Sequence, residues 1–290
     1  MGGFLRRHKR VIPYALLAPG LLWLVFFYVL PGFQMLLTSF WSGTLETGYE
    51  FALSNVSNYS DALVKYSAQF GRSILYGGLA TLLTFAISYP LAYTIAFRGG
   101  RYKNLLLFLV VAPFFTSFLL RTISWKIILG DTGIVLGPLK DIGLLPDEFR
   151  VLATPVAVIF GITYNFLPFM TLPIYVSLEK IDKRLVEAAE DLFATSFGAF
   201  RRVTFPLSLP GVFAGSLLTF IPACGDFINA ALLGTPRQYM IGNVIQSKFL
   251  NILDYPTAAA LSFTLMVFIL VGIFLYARAL GTRNLTEAAI

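Results

Sequence analysis

The stretch VEAAEDLFATSFGAFRRVTFPLSLPG, residues 186–211, is a charged segment within an otherwise apolar sequence. Hydrophobic residues make up 57% of the chain and charged residues only 13%, whereas a soluble domain has about 25% charged residues. Within residues 186–211, acidic, basic and apolar residues alternate at helical spacing, which is the pattern of an amphipathic helix. The stretch therefore predicts a polar helical loop between two membrane-embedded segments.

Six runs without charged residues lie around this loop. They cover 11–45, 73–97, 104–120, 151–178, 203–225 and 255–277. A membrane-spanning helix needs about 20 mostly apolar residues, with roughly 17 as the lower limit. Lipid offers no partners to backbone amides, so each run should be helical, and the absence of strict apolar–polar alternation argues against a β-barrel. We predict an all-α integral membrane protein with six transmembrane helices.

The basic residues predict how the chain is oriented in the membrane. The sequence RRHKR at 6–10 precedes an apolar run too long for a signal peptide, so the first run should be an uncleaved span. Lys and Arg are denser in the segments on the same side as 1–10, which places both termini in the cytoplasm. The predicted organisation is a basic cytoplasmic arm (1–10), a first transmembrane helix with an outer loop (11–72), a transmembrane domain (73–277) containing the loop 177–210, and a cytoplasmic tail (278–290).

The composition also argues against several classes of protein. Cys224 is the single cysteine and His8 the single histidine, so we expect no disulfide framework, no metal site and no catalytic triad. The dipeptide Gly-Lys of a phosphate-binding P-loop is absent. We therefore expect that the chain is not an enzyme and binds no cofactor itself, and that any nucleotide energy comes from a partner.

The charged loop is predicted to contain two helices. Asp182 is placed to cap the first helix, and Ser196 to cap a second, short helix that Pro206 and Pro210 should end before the next span. The first helix has an apolar stripe consisting of Ile181, Leu185, Ala188, Ala189, Leu192 and Phe193. Such a helix either lies on the membrane surface or docks into a groove on a cytoplasmic partner. The acidic residues favour docking, because surface helices usually carry Lys and Arg on their polar face.

The triplet Glu187-Ala188-Ala189, followed by Val203 and Pro206, resembles the EAA loop of permease subunits of ATP-binding-cassette importers. The resemblance implies that the loop docks into a cleft on an ATPase subunit. The residues to which it assigns ATPase coupling are Leu185, Glu187, Ala188, Ala189, Asp191, Leu192, Phe193, Ser196 and Pro206. Phe193 stands where the family pattern expects a Gly suited to positive φ. We therefore expect that Gly198 has taken over the turn or that the first helix is longer.

Three further blocks, at 112–129, 164–192 and 241–260, resemble permeases of the spermidine/putrescine type, and related permeases carry iron or sugar phosphates. The resemblance implies the type I importer permease fold and alternating access. It also implies a second homologous permease, two ATPase subunits that bind ATP and Mg, and an extracytoplasmic substrate-binding protein. The alternatives are a permease for another small solute, a secondary transporter or channel, and a membrane scaffold that recruits a cytoplasmic protein.

Asp226 is the principal candidate for contact with the transported solute. Pro222 and Gly225 favour a break in the fifth span just before it, and a carboxylate in lipid should face a cavity or a partner. The structural alternative is an ion pair with Arg121 or with another helix. Further candidates for the solute path are Trp125, Tyr164 and Asn165, for which interface anchoring and helix packing are the alternatives. The GxxxG spacing of GVFAG (211–215) predicts close packing against another helix.

Overall fold

The structure of the protein is a computed structural model that describes residues 12–44, 46–52 and 55–280. The predicted arm 1–10 and the tail from 281 onward lie outside the described residues. The chain divides into two compact units. The smaller unit contains the described residues up to Lys65 together with Ser247–Thr264, and the larger contains Tyr66–Gln246 and the described residues from Leu265.

The smaller unit begins with a long apolar helical rod and continues into a hairpin. The rod consists of α1 (Ile12–Leu24), a π-helical segment (Val25–Val29) and α2 (Leu30–Thr38). The hairpin pairs β1 (Trp41–Thr44) antiparallel with β2 (Gly48–Phe51), with Trp41 opposite Phe51. The remaining elements of this unit are α3 (Ser57–Lys65), a π-helical segment (Ser247–Asn251) and the first turns of α14 (Tyr255–Leu280). The sequence pattern did not predict the hairpin.

The larger unit is helical throughout its regular structure. Its α-helices are α4 (Ser67–Tyr93), α5 (Lys103–Val111), α6 (Phe118–Ile128), α7 (Leu136–Asp141), α8 (Pro155–Glu179), α9 (Lys183–Asp191), α10 (Ser196–Ala199), α11 (Phe205–Cys224), α12 (Ile228–Leu233), α13 (Ile241–Gln246) and the rest of α14. Its π-helical segments are Thr94–Arg98 and Phe200–Thr204, and its 3₁₀ segments are Gly100–Tyr102, Ala112–Phe115 and Pro236–Gln238.

The core of the larger unit is the packing of α4, α8 and α11. Fully buried side chains such as Ile162, Met170 and Ile174 point from α8 into this core. Gly211 and Gly215 allow the close approach of α11 to α8, because a Cβ on Gly215 would lie 2.8 Å from Met170 Sδ and 3.0 Å from Met170 O. The predicted packing role of the GxxxG spacing is confirmed.

Five helices of the described chain are long and apolar enough to cross a membrane, and a sixth span results if one bent pair is counted. The five are Leu16–Thr38, Ser67–Arg98, Pro155–Glu179, Ser196–Cys224 and Tyr255–Arg278. The all-α membrane class is therefore confirmed.

The third apolar run departs from the predicted continuous helix. It forms Gly100–Phe115 and Phe118–Ile128, which meet at an angle of 93°. Thr116 and Ser117 leave the helical conformation, with ψ values of 149° and 137°. The Thr116 hydroxyl donates to the Pro113 carbonyl at 2.7 Å, a local bond that competes with helix continuation.

The predicted stop at Pro206 and Pro210 is also wrong. The helix runs through both prolines as one span from Ser196 to Cys224. Pro206 lies in the first turn of α11, directly after the π-helical segment Phe200–Thr204. A proline removes one backbone donor and crowds the carbonyl four residues earlier, and the wider π turn accommodates that change within a continuous helix.

Candidate functional site

A cleft of about 530 Å³ lies in the larger unit and contains both a carboxylate and a guanidinium group. It is bordered by the two helices of the broken third run, by α8 and by the segment that follows α11. Its lining includes Phe114, Thr116, Phe118, Arg121, Asn165 and Asp226. A volume of this size is typical of a pocket for a small molecule.

Asp226 lies where the fifth span breaks. Helix α11 ends at Cys224, Gly225 is its C-cap, and α12 begins at Ile228, so the predicted break before Asp226 is confirmed. Asp226 is 7% exposed. Its Oδ1 accepts from the Asn229 backbone N–H, and its Oδ2 from Asn229 Nδ2, each at 2.8 Å. The break thus turns a carboxylate into the interior while two hydrogen bonds hold it in place.

A buried polar network connects Asp226 to two other helices. Asn229 Oδ1 accepts hydrogen bonds from Asn165 Nδ2 at 3.2 Å and from Thr122 Oγ1 at 3.3 Å. Asn165 Nδ2 also donates to Thr122 Oγ1 at 3.2 Å. Asn165, Asn229 and Thr122 each have 0% exposure. The network therefore joins α6, α8 and α12 and fixes the wall of the cleft on which Asp226 is held.

Arg121 provides the opposite charge in the cleft. It is 9% exposed, and its guanidinium carbon lies 5.0 Å and 5.7 Å from the ring centres of Phe114 and Phe118. Its Nε and Nη1 are buried and have no hydrogen-bond partner among the described residues. No ion pair joins Arg121 to Asp226 in the described part of the chain. The proposed structural pair is thus not formed, and Asn229 holds the carboxylate instead.

Two of the predicted path residues lie in an aromatic cluster instead of lining this cleft. The ring of Trp125 is 4.8 Å from that of Phe160 and 5.1 Å from that of Tyr164, both edge to face. Asn165, by contrast, lines the cleft together with Asp226. The prediction that Trp125 and Tyr164 contact solute remains a prediction.

Sequence reasoning missed Asn229, Thr122 and the two phenylalanines that contact Arg121 in the cleft, Phe114 and Phe118. Asn229 lies three residues after Asp226, a spacing at which a side chain can cap the start of a helix. That signal could have indicated that the carboxylate is held locally. Phe114 and Phe118 lie on either side of the break in the third run, which the hydropathy pattern does not reveal.

The charged loop presents a set of apolar side chains to the outside. Helix α9 is capped by Asp182, whose Oδ1 accepts from the Arg184 N–H at 3.0 Å, so the predicted cap is confirmed. The exposed apolar residues, here called the loop patch, are Leu185, Ala188, Leu192, Phe193 and Phe197. Their exposed fractions include 81% for Leu192 and 98% for Phe193. Of the predicted stripe, Ile181 is buried and Ala189 is half-buried, so neither belongs to the loop patch.

Acidic side chains lie beside the loop patch. Glu187, Glu190 and Asp191 are all exposed on α9. An exposed apolar surface next to three carboxylates is an arrangement that a groove with apolar and basic residues could receive.

The turn after α9 differs from both expectations for Phe193. Phe193 itself adopts φ = 62°. Its N–H donates to the Glu190 carbonyl, and the Ala194 N–H to the Ala189 carbonyl, each at 3.0 Å. This is the Schellman pattern, in which the first residue after the cap is left-handed. Gly198 lies inside α10 and does not make the turn, and α9 is not extended. The paired hydrogen bonds hold Phe193 in a conformation that is unfavourable for a residue with a Cβ.

The second helix of the loop is capped by Thr195, not by Ser196. Thr195 has an extended backbone, and its Oγ1 accepts from the Gly198 N–H at 3.1 Å. Ser196 is the first residue of α10. Thr and Ser are both good caps, so the sequence did not distinguish two adjacent hydroxyl residues.

The comparisons with known proteins agree with this fold. The profile of the family described as "Binding-protein-dependent transport system inner membrane component" matches residues 88–280. The chain belongs to this family, and the resemblance to permease subunits of ATP-binding-cassette importers is confirmed.

Its relatives include permeases for polyamines. The spermidine/putrescine transport system permease protein PotB of Haemophilus influenzae is 42% identical over 89% of this chain and 90% of its own length. PotB of Escherichia coli is 39% identical, over 90% of this chain and 95% of its own length. A chain from the crystal structure of a bacterial alginate ABC transporter has a TM-score of 0.71 at 21% identity, and the match covers 97% of this chain and 98% of that one. That structural likeness shows the fold alone.

Proposed function

We propose that this permease carries polyamines, with spermidine and putrescine as its solutes, inward across a bacterial inner membrane. The observation that carries this proposal is the identity of 42% and 39% with two spermidine/putrescine permeases over about nine tenths of the chain. The cleft supports it, because Asp226 places a buried carboxylate in its lining, and a carboxylate attracts ammonium ions.

The proposed energy source is a partner ATPase that binds ATP and Mg. The loop patch supports this role, because Leu192 and Phe193 are almost fully exposed apolar side chains at the tip of a capped helix. Docked in an ATPase cleft, α9 would follow each movement of the ATPase dimer. The cleft would then open alternately to the two sides of the membrane. ATP can drive this change only if the partners contact the loop differently in the two states.

The proposed assembly has three further kinds of subunit. They are a second homologous permease, two copies of the ATPase and an extracytoplasmic substrate-binding protein. We propose that both termini and the loop 177–210 are cytoplasmic, as the distribution of Lys and Arg favours.

Reconstituted transport tests the proposed solute. The complete importer would be placed in liposomes with its binding protein, and the ATP-dependent uptake of radiolabelled spermidine and putrescine measured. Asp226→Asn keeps the shape of the side chain and removes its charge, so it should lower uptake while the second permease still co-purifies. An absence of polyamine uptake by the unmodified importer would refute the proposed solute.

Charge reversal at Glu187 tests the proposed coupling. Glu187→Lys should lower solute uptake and solute-stimulated ATP hydrolysis without lowering the amount of permease in the membrane. Glu50→Lys is the matched control, because Glu50 is also an exposed carboxylate but lies on β2, far from the loop in sequence. Undiminished uptake by the Glu187→Lys variant would contradict the docking role.

A further inference from the structure

Arg121 is a buried cation in the cleft. Its side chain is 9% exposed, and it is one of the residues that line the cleft. Two of its nitrogen atoms, Nε and Nη1, are buried and have no acceptor within the part of the chain that the structure describes. The rings of Phe114 and Phe118 lie 5.0 Å and 5.7 Å from the guanidinium carbon. These rings attract the cation, but they offer its N–H groups no oxygen acceptor.

A buried guanidinium requires an anionic partner. Arginine keeps its proton inside proteins, so Arg121 cannot reduce the cost of its burial by losing its charge. Ionisable groups within membrane domains are almost always paired with one another or with backbone carbonyls. A buried charge left without its partner is strongly destabilising. We therefore expect an acceptor for Arg121 from outside the described residues.

Neither the carboxylate of the cleft nor the proposed solute supplies this acceptor. Asp226 accepts hydrogen bonds from the backbone N–H and Nδ2 of Asn229 and from the backbone of Ile228. The ion pairs of the described residues do not join Asp226 to Arg121. A polyamine carries ammonium groups, which have donors and no acceptor. The acceptor must therefore come from lipid or from another chain.

The surface beside the cleft favours another chain. Phe115 lies between the cleft-lining residues Phe114 and Thr116 and is 80% exposed. Leu119 and Leu120, directly before the arginine, are 47% and 61% exposed. Lipid tails would cover these apolar side chains but carry no acceptor, whereas a helix with a carboxylate supplies both an apolar face and an anion. An arginine within an apolar surface is typical of the centre of a protein–protein interface.

We propose that a carboxylate of the second permease pairs with Arg121, and that this ion pair anchors the contact between the two permeases beside the cleft. The inference rests on the proposed function in one respect, that a second homologous permease is present. A guanidinium and a carboxylate form two parallel hydrogen bonds, so the pair fixes the orientation of the partner as well as its position. The pair also compensates the charge of Arg121 and leaves the Asp226 carboxylate to attract ammonium groups of the solute.

Carbodiimide crosslinking tests the ion pair, because this reagent joins an amine to a carboxylate that it touches. Arg121→Lys keeps the positive charge and introduces the amine. The assembled importer would be treated with dicyclohexylcarbodiimide, which activates the carboxylate; the amine then forms an amide, and the reagent leaves as its urea. We expect a permease–permease product in which mass spectrometry joins position 121 to an Asp or Glu of the second permease.

Arg150→Lys is the matched control, because Arg150 has a carboxylate partner within this chain. Its Nε lies 3.2 Å from Asp131 Oδ2. This variant should give an amide between position 150 and Asp131, and no permease–permease product from position 150. The unmodified importer gives the background, since an arginine at position 121 does not form the amide.

The lifetime of the permease pair gives a second measurement. Arg121→Met should shorten the half-life of the pair in detergent by roughly tenfold or more, the usual effect of removing one partner of a buried, hydrogen-bonded charge pair. Arg150→Met should leave the half-life unchanged. Arg121→Asp, combined with an arginine in place of the crosslinked carboxylate of the second permease, should restore part of the half-life, which a variant that had merely misfolded would not do.

Three results would overturn the inference. The first is a crosslink from position 121 to Asp226, or no product from position 121 while the control reacts, as when a lipid headgroup holds Arg121. The second is an unchanged half-life in Arg121→Met. The third is loss of the second permease from Arg121→Lys, which retains the charge that the pair needs. Purification of the unmodified chain without a second permease would instead refute the proposed assembly, and an absence of polyamine uptake would refute only the proposed solute.

Discussion

The left-handed backbone of Phe193 leads to a prediction about stability. Replacing this large apolar residue with glycine should stabilise the turn, whereas truncation of such a residue usually destabilises a protein. We consider Phe193→Gly and Phe193→Ala together. Both variants remove the ring, which is 98% exposed and therefore contributes almost no burial within this chain. Only the Gly variant also removes the Cβ that makes φ = 62° unfavourable.

The expected magnitude follows from the backbone conformation. An L-residue in the left-handed region costs roughly 1–2 kcal/mol. Glycine avoids this cost but loses about 0.5–1 kcal/mol through its greater freedom in the unfolded chain. Phe193→Gly should therefore stabilise the end of α9 by about 0.5–1 kcal/mol. Phe193→Ala should change it little, because Ala retains the Cβ.

Hydrogen exchange is the suitable assay, because the two hydrogen bonds of the turn are made by backbone amides. The N–H groups of Phe193 and Ala194 donate across the turn to Glu190 and Ala189. A difference of about 1 kcal/mol between the variants corresponds to roughly fivefold slower exchange in the Gly variant. Equal exchange in both variants, or faster exchange in the Gly variant, would refute the assignment of strain to Phe193.

The same two variants distinguish the backbone strain at Phe193 from a contact between the Phe193 ring and the ATPase. If the Phe193 ring contacts the ATPase, both variants should weaken ATPase binding equally, because both lack the ring. If only the conformation of the turn matters, Phe193→Gly should bind the ATPase at least as well as the unmodified chain. Co-purification of the ATPase at a series of salt concentrations would distinguish these two results.

Three other predictions concern packing, capping and acid stability. Gly215→Ala should destabilise the permease by about 1–3 kcal/mol through overpacking against α8, whereas Gly272→Ala, where a Cβ meets nothing within 4 Å, should be close to neutral; thermal unfolding in detergent compares them. Thr195→Ala should speed amide exchange at the start of α10 by about fivefold, the effect of losing a cap of about 1 kcal/mol, and Ser196→Ala should not. Burial raises the pKa of Asp254, but hydrogen bonds from a lysine and a threonine outweigh it and hold the pKa below its ordinary value of 3.8. The stabilisation by the charged form is therefore present above pH 3.8 and is lost as the pH falls through the lowered pKa, so the start of α14 should open in acid. Asp254→Asn removes the titrating group and should abolish this pH dependence. Hydrogen exchange at pH 3 to 7 measures it.

The parts of the fold that were predicted correctly are those set by the membrane. The thickness of the hydrocarbon core fixes how long an apolar run must be, so the long runs could be assigned from composition alone. The same argument failed at 104–120, because a run of sufficient length can still break where local hydrogen bonds compete with the helix. Thr116 bonded to Pro113 is such a case, and hydropathy contains no information about it.

The errors in the loop have a different cause. Two expectations relied on the intrinsic conformational preferences of residue types. One was Ser196 as the cap of the second helix, and the other was Gly198 as a possible turn residue. Those preferences amount to about 1–2 kcal/mol, and the capping hydrogen bonds at the end of α9 are of the same order. Because the free energy of the intrinsic preference and that of the capping hydrogen bonds are so similar, the residue type alone does not decide the position of a turn.

The cleft shows why its residues could be predicted only in part. Asp226 and Asn165 were identified because polar groups in apolar runs need partners, but the partners themselves come from distant segments. The sequence did indicate one of the two breaks, the one in the fifth span at Pro222 and Gly225. Non-helical backbone at membrane depth is tolerated only where it is buried in protein or borders a cavity. Thr116 at the break in the third run and Gly225 at the break in the fifth both line the cleft. Two breaks in separate spans thus border one cavity, and Arg121 and Asp226, which lie close to these breaks in sequence, line that cavity without forming an ion pair in the described part of the chain.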